Sequence, residues 1–147
     1  MIRALSGVFA PWLGERILEN SGDLLVVDKP SGLSVHGAGL PDHDVVSRLA
    51  RVLEARGEAS YLGVHQRLDL GTSGVLAFVK NAELNPRVAA DFESGRVEKR
   101  YVAAVELRDR SPLASRSELV LEHRLEVSGD RARVVVRGGK PCRALCR

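Results

Sequence analysis

The chain has 147 residues, 44% hydrophobic and 28% charged, which suits one soluble globular domain with a core of its own. Its 22 basic and 19 acidic side chains give a net charge of +3, which permits an RNA partner without indicating one. Of the basic residues 18 are arginine, but an arginine-rich genome explains that excess. Neither a signal peptide nor the ~20 apolar residues of a membrane span is present, which predicts a cytoplasmic protein without a membrane partner.

The first half of the chain predicts a strand and then a helix. Residues 23–28 place four apolar residues between two aspartates, as in a buried strand, and the Lys-Pro-Ser-Gly turn ends it. An apolar stripe with helical spacing begins after Asp44. Asp42 or Asp44 is the expected N-cap of this helix, and Gly57 is its expected end.

The second half predicts another helix and more strands. Pro86 falls in the first turn of that helix, where its missing N–H costs little. The helix covers residues 81–93. Strands are predicted over residues 61–64, 75–79, 99–107, 119–127 and 132–136. The last two strands form a hairpin around Ser128-Gly129-Asp130. The expected fold class is therefore α+β, a mixed and largely antiparallel sheet with two or so flanking helices.

The most informative segment is residues 64–74, VHQRLDLGTSG. One carboxylate, Asp69, follows an arginine and a leucine and precedes a Gly-Thr-Ser-Gly turn and an apolar run. A loop of turn-forming residues between apolar stretches is where a rigid scaffold often presents reactive groups. Taken alone, an aspartate before a glycine-rich turn is more often a cap or an Asx-turn than a catalytic group.

Three stretches, in the right order, resemble the RluA-type RNA pseudouridine synthases. They are residues 25–36 (LVVDKPSGLSVH), the Arg-Leu-Asp-x-x-Thr-Ser-Gly order of residues 67–74, and residues 98–105 (EKRYVAAV). Residues 138–141 (GGKP) are a fainter fourth match. The resemblance implies a pseudouridine synthase-like catalytic domain that isomerises specific uridines to pseudouridine in ribosomal or transfer RNA.

The resemblance also implies roles for individual residues. Asp69 would be the catalytic carboxylate, acting as nucleophile at the anomeric carbon or as base at the neighbouring ribose carbon. Tyr101 would stack on the freed uracil, and Arg67 would contact the RNA near the extruded nucleotide. Lys29 and Pro30 are expected to shape a turn near this site. The reaction needs no metal and no redox cofactor.

The histidines and cysteines do not indicate a metal site. His36, His43 and His65 are isolated residues without ligand spacing, and such histidines are more often hydrogen-bonded structural residues. Cys142 and Cys146 are too few for structural zinc and are expected to be reduced thiols. RNA is the expected partner, and a monomer is the default expectation.

The sequence departs from the family pattern at two places. Gln66 stands where the family usually has histidine, with His65 one residue earlier. Nothing in residues 114–147 matches the family's Gly-Arg-x-His-Gln-Ile-Arg-like segment, which supplies a basic partner for the aspartate. We therefore expect residues 1–147 to be a single, partial catalytic domain without a separate N-terminal RNA-binding domain.

Two other functions remain open from the residues alone. One is a catalytically inactive RNA-binding remnant of such an enzyme. The other is a two-carboxylate glycoside hydrolase, which would need a second acid opposite Asp69; no nearby motif marks one.

Overall fold

The structure is a computed structural model that describes residues 15–37, 43–106, 118–129 and 131–147. The chain divides into two compact units, Met1–Lys99 and Arg100–Arg147. Within the described residues, the first unit has a four-stranded sheet and the second a three-stranded sheet, and every pair of neighbouring strands there is antiparallel. With two α-helices among the described residues, this confirms the predicted α+β class. The expected single domain over residues 1–147 stays a prediction.

The sheet of the first unit is built from β1 (Ile17–Ser21), β2 (Leu24–Lys29), β3 (Gly63–Val64) and β4 (Gly74–Val79). Their spatial order is β1-β2-β4-β3, so the central β2 pairs along its whole length with β4. The predictions of β2 and β4 are confirmed. The strand expected over residues 61–64 is shorter than expected, and β1 was not predicted.

Helix α1 (Val45–Ala55) begins and ends where the sequence indicated. The Asp44 side chain accepts a hydrogen bond from the Ser47 backbone N–H at 2.8 Å, which satisfies one of the donors at the start of the helix. Gly57 follows the helix with a φ of 71°, a left-handed conformation that glycine adopts without steric cost. The alternative cap, Asp42, lies outside the described residues.

Helix α2 (Asn85–Glu93) is preceded by a short 3₁₀ turn (Ala82–Leu84), and together they cover most of the predicted helix. Pro86 lies in the first turn of α2, as expected. No helix in the described parts of the chain is long and apolar enough to span a membrane.

The core of the first unit lies between the sheet and α1. Strand β2 contributes alternate residues, because successive side chains of a strand point to opposite faces. Helix α1 contributes residues four apart, which share one face of a helix. The buried apolar residues are Leu25, Val27, Leu33, Val35, Val45, Leu49, Leu53, Leu62, Leu76 and Phe78.

The second unit contains β5 (Leu119–Ser128), β6 (Arg131–Val135) and β7 (Lys140–Cys146), in the order β6-β5-β7. The predicted hairpin is confirmed by the antiparallel pairing of β5 with β6. Its expected turn residue Asp130 lies outside the described part of the chain.

The strand predicted over residues 99–107 is wrong as far as the structure describes it. Residues 99–106 have no strand conformation, and position 107 lies outside the described residues. A strand is held by ladder hydrogen bonds to a neighbour, and none of the described strands pairs with this segment. The alternation of Tyr101, Ala103 and Val105 therefore did not by itself determine a strand.

Candidate active site: the Asp69 loop

The loop that carries Asp69 runs from the end of β3 to the start of β4 and is fixed in its middle by Leu68. That side chain packs against the buried core of the first unit. Its two neighbours, Arg67 and Asp69, are exposed. The partly buried leucine thus lies between an arginine and an aspartate that both remain on the accessible surface of the loop.

Lys29, the last residue of β2, is fully buried next to this loop. Its side chain has no exposed surface, although a lysine is almost never buried without partners. The ammonium donates to the Leu33 carbonyl at 2.7 Å and the Pro30 carbonyl at 2.9 Å, and it lies 3.5 Å from the Leu70 carbonyl. Three backbone oxygens therefore surround the charge, and one of them belongs to the residue after Asp69.

The position of Lys29 follows from the strand that precedes it. Leu25 and Val27 face the core, and the alternation of a strand places Lys29 on the same face. The sheet register pairs Lys29 with Gly74, the residue that ends the loop and begins β4. The sequence indicated only a turn here; the period-two pattern of β2 was the signal that could have predicted an inward lysine.

The charge environment of Lys29 has two opposing parts. Burial removes water from the ammonium and lowers the pKa of Lys29 below its usual value. The negative charge of Asp69 acts in the other direction and raises this pKa. The two residues are thus electrostatically coupled, which places a buried positive charge close to the exposed carboxylate.

The backbone of the loop is fixed by hydrogen bonds to the turn after β2. The Gly32 N–H donates to the Leu70 carbonyl at 2.7 Å, and the Ser31 hydroxyl donates to the Gly71 carbonyl at 2.8 Å. Within the loop, the Thr72 N–H donates to the Asp69 carbonyl at 3.0 Å, as in a β-turn. The main chain from Asp69 to Thr72 is therefore held in place.

The side chains of Asp69 and Arg67 have no polar partner among the described residues. Neither side chain makes a hydrogen bond or an ion pair with any residue that the structure describes. A rigid backbone that presents an accessible carboxylate and an accessible guanidinium side by side can supply an anionic nucleophile or base and a planar donor to one ligand.

His65 begins the segment that leads into this loop and has structural partners. Its Nε2 lies 2.9 Å from Oδ1 of Asn85, the first residue of α2, and its ring stacks on Phe92 with a centroid distance of 6.3 Å. The Asn85 amide also donates to the Tyr61 hydroxyl. Gly63 leaves the space that the Asn85 side chain occupies, because a methyl group there would overlap Asn85 Oδ1.

The contacts of His65 match the structural role that the sequence predicted for isolated histidines. His65 is a hydrogen-bonded structural residue between β3 and α2. In the described ranges no group of three or more histidine, cysteine, aspartate or glutamate side chains could hold a metal ion. Cys142 and Cys146 are free thiols of the second unit.

Tyr101 lies in the second unit, two residues after the boundary between the units. Its side chain is 64% exposed, so its ring is accessible to a ligand. The structure thus places two of the three predicted site residues, Arg67 and Asp69, on one loop of the first unit. The role of each stays a prediction.

Comparison with known proteins identifies the relatives of this chain. A family model described as RNA pseudouridylate synthase matches residues 23–139. Over 128 residues the chain is 33% identical to pseudouridylate synthase RPUSD2 of Mus musculus, covering 86% of this chain and 22% of that protein. Over 129 residues it is 33% identical to ribosomal large subunit pseudouridine synthase C of Escherichia coli, covering 88% of this chain and 39% of that one.

Among solved structures, the human RNA pseudouridylate synthase domain containing 4 has a similar fold. It aligns with a TM-score of 0.59 and 20% identity over 97% of this chain and 56% of that structure. At this identity the likeness shows the fold alone. The chain spans between a fifth and two fifths of the length of the two curated relatives described.

Proposed function

Because this chain belongs to the RNA pseudouridylate synthase family, we propose that it isomerises specific uridines of ribosomal or transfer RNA to pseudouridine. The observation that supports this most is the Asp69 carboxylate, exposed and without a hydrogen bond from any described residue on a loop whose backbone is fixed. An essential carboxylate must be ionised and accessible to the ribose, yet held in one place.

In the proposed mechanism, Asp69 either attacks the anomeric carbon of the uridine or removes a proton from the neighbouring ribose carbon. Either step lets the bond between base nitrogen and sugar break. The base then turns and bonds to the anomeric carbon through C5, as the Asp69 ester bond breaks or as the proton returns to the ribose carbon. C5 loses its proton and the released N1 gains one, so the product has the same atoms as the substrate. An isomerisation of this kind consumes no oxidant or reductant, and we expect no cofactor.

The RNA must present the uridine outside its base stack, which costs a few kcal/mol and leaves a gap. We assign two side chains to this step. The Arg67 guanidinium, exposed beside Asp69, is suited to a phosphate or to a base edge near the extruded nucleotide. The exposed ring of Tyr101 would stack on the freed uracil, and its hydroxyl can donate or accept a proton.

The cell compartment and the assembly state belong to the same proposal. We expect a cytoplasmic enzyme that acts as a monomer, and size-exclusion chromatography with light scattering would test the second point. One relative of similar sequence, RPUSD4 of Mus musculus, is described as mitochondrial, so fractionation of cells is needed to test the first.

The deciding experiment is a pseudouridine assay by mass spectrometry on ribosomal and transfer RNA from cells that lack such enzymes. It compares the parent chain with Asp69→Asn, which keeps the size of the side chain, and with Asp23→Asn as a control. Asp23 is also exposed and is an aspartate of the same unit. We expect the Asp69 variant to lose about 10²-fold or more in rate and the control to match the parent.

The other outcomes discriminate between the alternatives. Full activity in Asp69→Asn would overturn the assignment of the catalytic residue. A folded parent chain that binds RNA but forms no pseudouridine would instead be an RNA-binding remnant. For Tyr101, a Phe variant that retains activity where an Ala variant does not would assign the ring, rather than the hydroxyl, to the reaction.

A further inference from the structure

The charge of the chain is unevenly divided between its two units. Residues 1–99 contain 11 basic and 13 acidic side chains, whereas residues 100–147 contain 11 basic and 6 acidic ones. The small net charge of the whole chain therefore conceals a basic second unit. Ten of the 11 basic residues in this unit are arginine.

Strand alternation separates the sheet of this unit into two different faces. On one face, β5 places four apolar residues and His123, and the register sets them opposite small or apolar residues of β6 and β7, except that Leu125 also lies opposite Lys140. The four apolar residues are Leu119, Leu121, Leu125 and Val127. On the other face, which we call the arginine face, the register brings charged residues together. Its charged members within the three strands are Glu122, Arg124, Glu126, Arg131, Arg133 and Arg143.

The arginines of this face differ in whether they already make hydrogen bonds or ion pairs within the protein. Arg124 donates to the carbonyls of Gly138 and Gly139, the latter at 3.1 Å, and so helps to hold the turn between β6 and β7. Arg143 pairs with Glu122 at 3.4 Å, but both side chains are more than 70% exposed, and such surface pairs contribute little.

Arg131 and Arg133 are different because both are exposed and neither makes a hydrogen bond or ion pair with a described residue. They lie on β6, an edge strand, and two positions along a strand place them about 6.8 Å apart on the same face. With respect to the described residues, each guanidinium retains its donors, in the planar arrangement that fits a phosphate.

We propose that the arginine face of the second unit binds the phosphate backbone of RNA, with Arg131 and Arg133 as its principal contacts. This inference rests on the proposed function for the choice of polyanion. The excess of basic residues in this unit complements a chain of regularly spaced phosphates, as do two neighbouring guanidinium groups that have no partner in the part of the chain that the structure describes. Such contacts position the RNA and do not read its sequence.

The test is the salt dependence of RNA binding by the full chain, measured by fluorescence anisotropy with a labelled single-stranded RNA. The variant is Arg131→Gln with Arg133→Gln. Loss of two phosphate contacts is expected to reduce the slope of log binding constant against log salt concentration by about 1.4. A second RNA of unrelated sequence is expected to lose affinity to the same extent.

Two controls make the result specific. Arg56→Gln with Arg87→Gln removes the same charge from exposed positions of the first unit and is expected to leave the slope nearly unchanged. Arg131→Lys with Arg133→Lys keeps the charge and is expected to retain the slope, which separates loss of contact from loss of folding.

Several outcomes would overturn the proposal. One is a parent-like slope in the folded Gln variant, and another is an equal loss in the first-unit control. A third is displacement of the RNA by poly-glutamate at equal charge concentration, which would assign this face to an acidic protein. The surface is tested separately from the reaction, because Asp69→Asn is expected to bind RNA with the parent slope whether or not the parent forms pseudouridine.

Discussion

The exposed carboxylate of Asp69, on the loop before β4, raises the pKa of the buried Lys29 ammonium at the end of β2. The Lys29 ammonium donates its hydrogen bonds to backbone carbonyls, one of them that of Leu70, and not to the Asp69 carboxylate. Its positive charge thus remains near Asp69 without a hydrogen bond to the carboxylate oxygens. The loop is stabilised at Leu70, and the Asp69 side chain stays exposed.

Replacing this lysine should cost stability. Lys29→Met leaves the buried carbonyl of Leu33 without its donor, and an unsatisfied buried polar group costs about 1–3 kcal/mol. Urea unfolding measures the loss, with Lys140→Met as a control at an exposed lysine. Equal stabilities of the two variants would show that the Lys29 hydrogen bonds contribute nothing net.

The same residue should give the stability a dependence on alkaline pH. Burial lowers the pKa of Lys29 in the folded protein, so in the window between the folded and unfolded pKa values the unfolded chain binds more protons. The free energy of unfolding contributed by this group therefore rises as pH increases through that window. We expect the parent to gain stability relative to Lys29→Met as pH rises from neutral toward the usual lysine pKa. A constant difference would contradict this.

Glu58 should make stability depend on pH in the same direction, but on the acid side. Hydrogen bonds from Lys80, at 2.8 Å, and from Asn20 lower the pKa of the Glu58 carboxyl. Its contribution to stability is present above the unfolded pKa and is lost as pH falls through the folded pKa. The stability difference between the parent and Glu58→Gln should therefore shrink as pH falls below the usual pKa of a glutamate. Glu54→Gln, an exposed glutamate on α1, is the control.

The N-cap of α1 should be sensitive to loss of its carboxylate. Asp44 accepts from the N–H groups of Ser47 and Gly37, at 2.8 and 3.1 Å, and is almost completely buried. Asp44→Ala is expected to destabilise the protein by about 0.5–2 kcal/mol. Asp44→Asn keeps one acceptor for Ser47 and should lose less. If the two variants unfold at the same denaturant concentration, the cap is not the cause.

Gly63 and Asn85 should behave as a coupled pair. Gly63→Ala places a methyl group where Asn85 Oδ1 lies, and overpacking of this kind costs about 1–3 kcal/mol. In the background of Asn85→Ala, which removes the obstructing amide, the same change should be tolerated. A double-mutant cycle on the free energy of unfolding measures the coupling, and strict additivity would refute the contact.

The sequence predicted most of what depends on neighbouring residues. The Asp44 cap and the Gly57 end of α1 could be read from local chemistry, since capping and left-handed glycine involve only a few residues. The place of Asp69 on a loop between two strands followed from turn-forming residues between apolar runs. These features do not depend on which distant segment packs against them.

Features that depend on distant contacts were missed or wrong. The burial of Lys29 is decided by the carbonyls of Leu33 and Leu70, the second far along the chain, although the alternation in β2 hinted at it. The segment at residues 99–106 alternates as a strand does but has no described ladder partner. Strand β1 was missed because its sequence, ILENS, contains too few apolar residues to stand out.

The anchoring of the Asp69 loop by Leu68 limits where the length of this segment can change. Arg67 and Asp69 are exposed on either side of a side chain that packs against the core. The backbone hydrogen bonds that hold the loop begin directly afterwards, at the carbonyls of Asp69, Leu70 and Gly71. Inserting or deleting a residue between Leu68 and Gly71 would move Asp69 relative to one of these two anchors, so length variation among related genes should be rejected at residues 68–71.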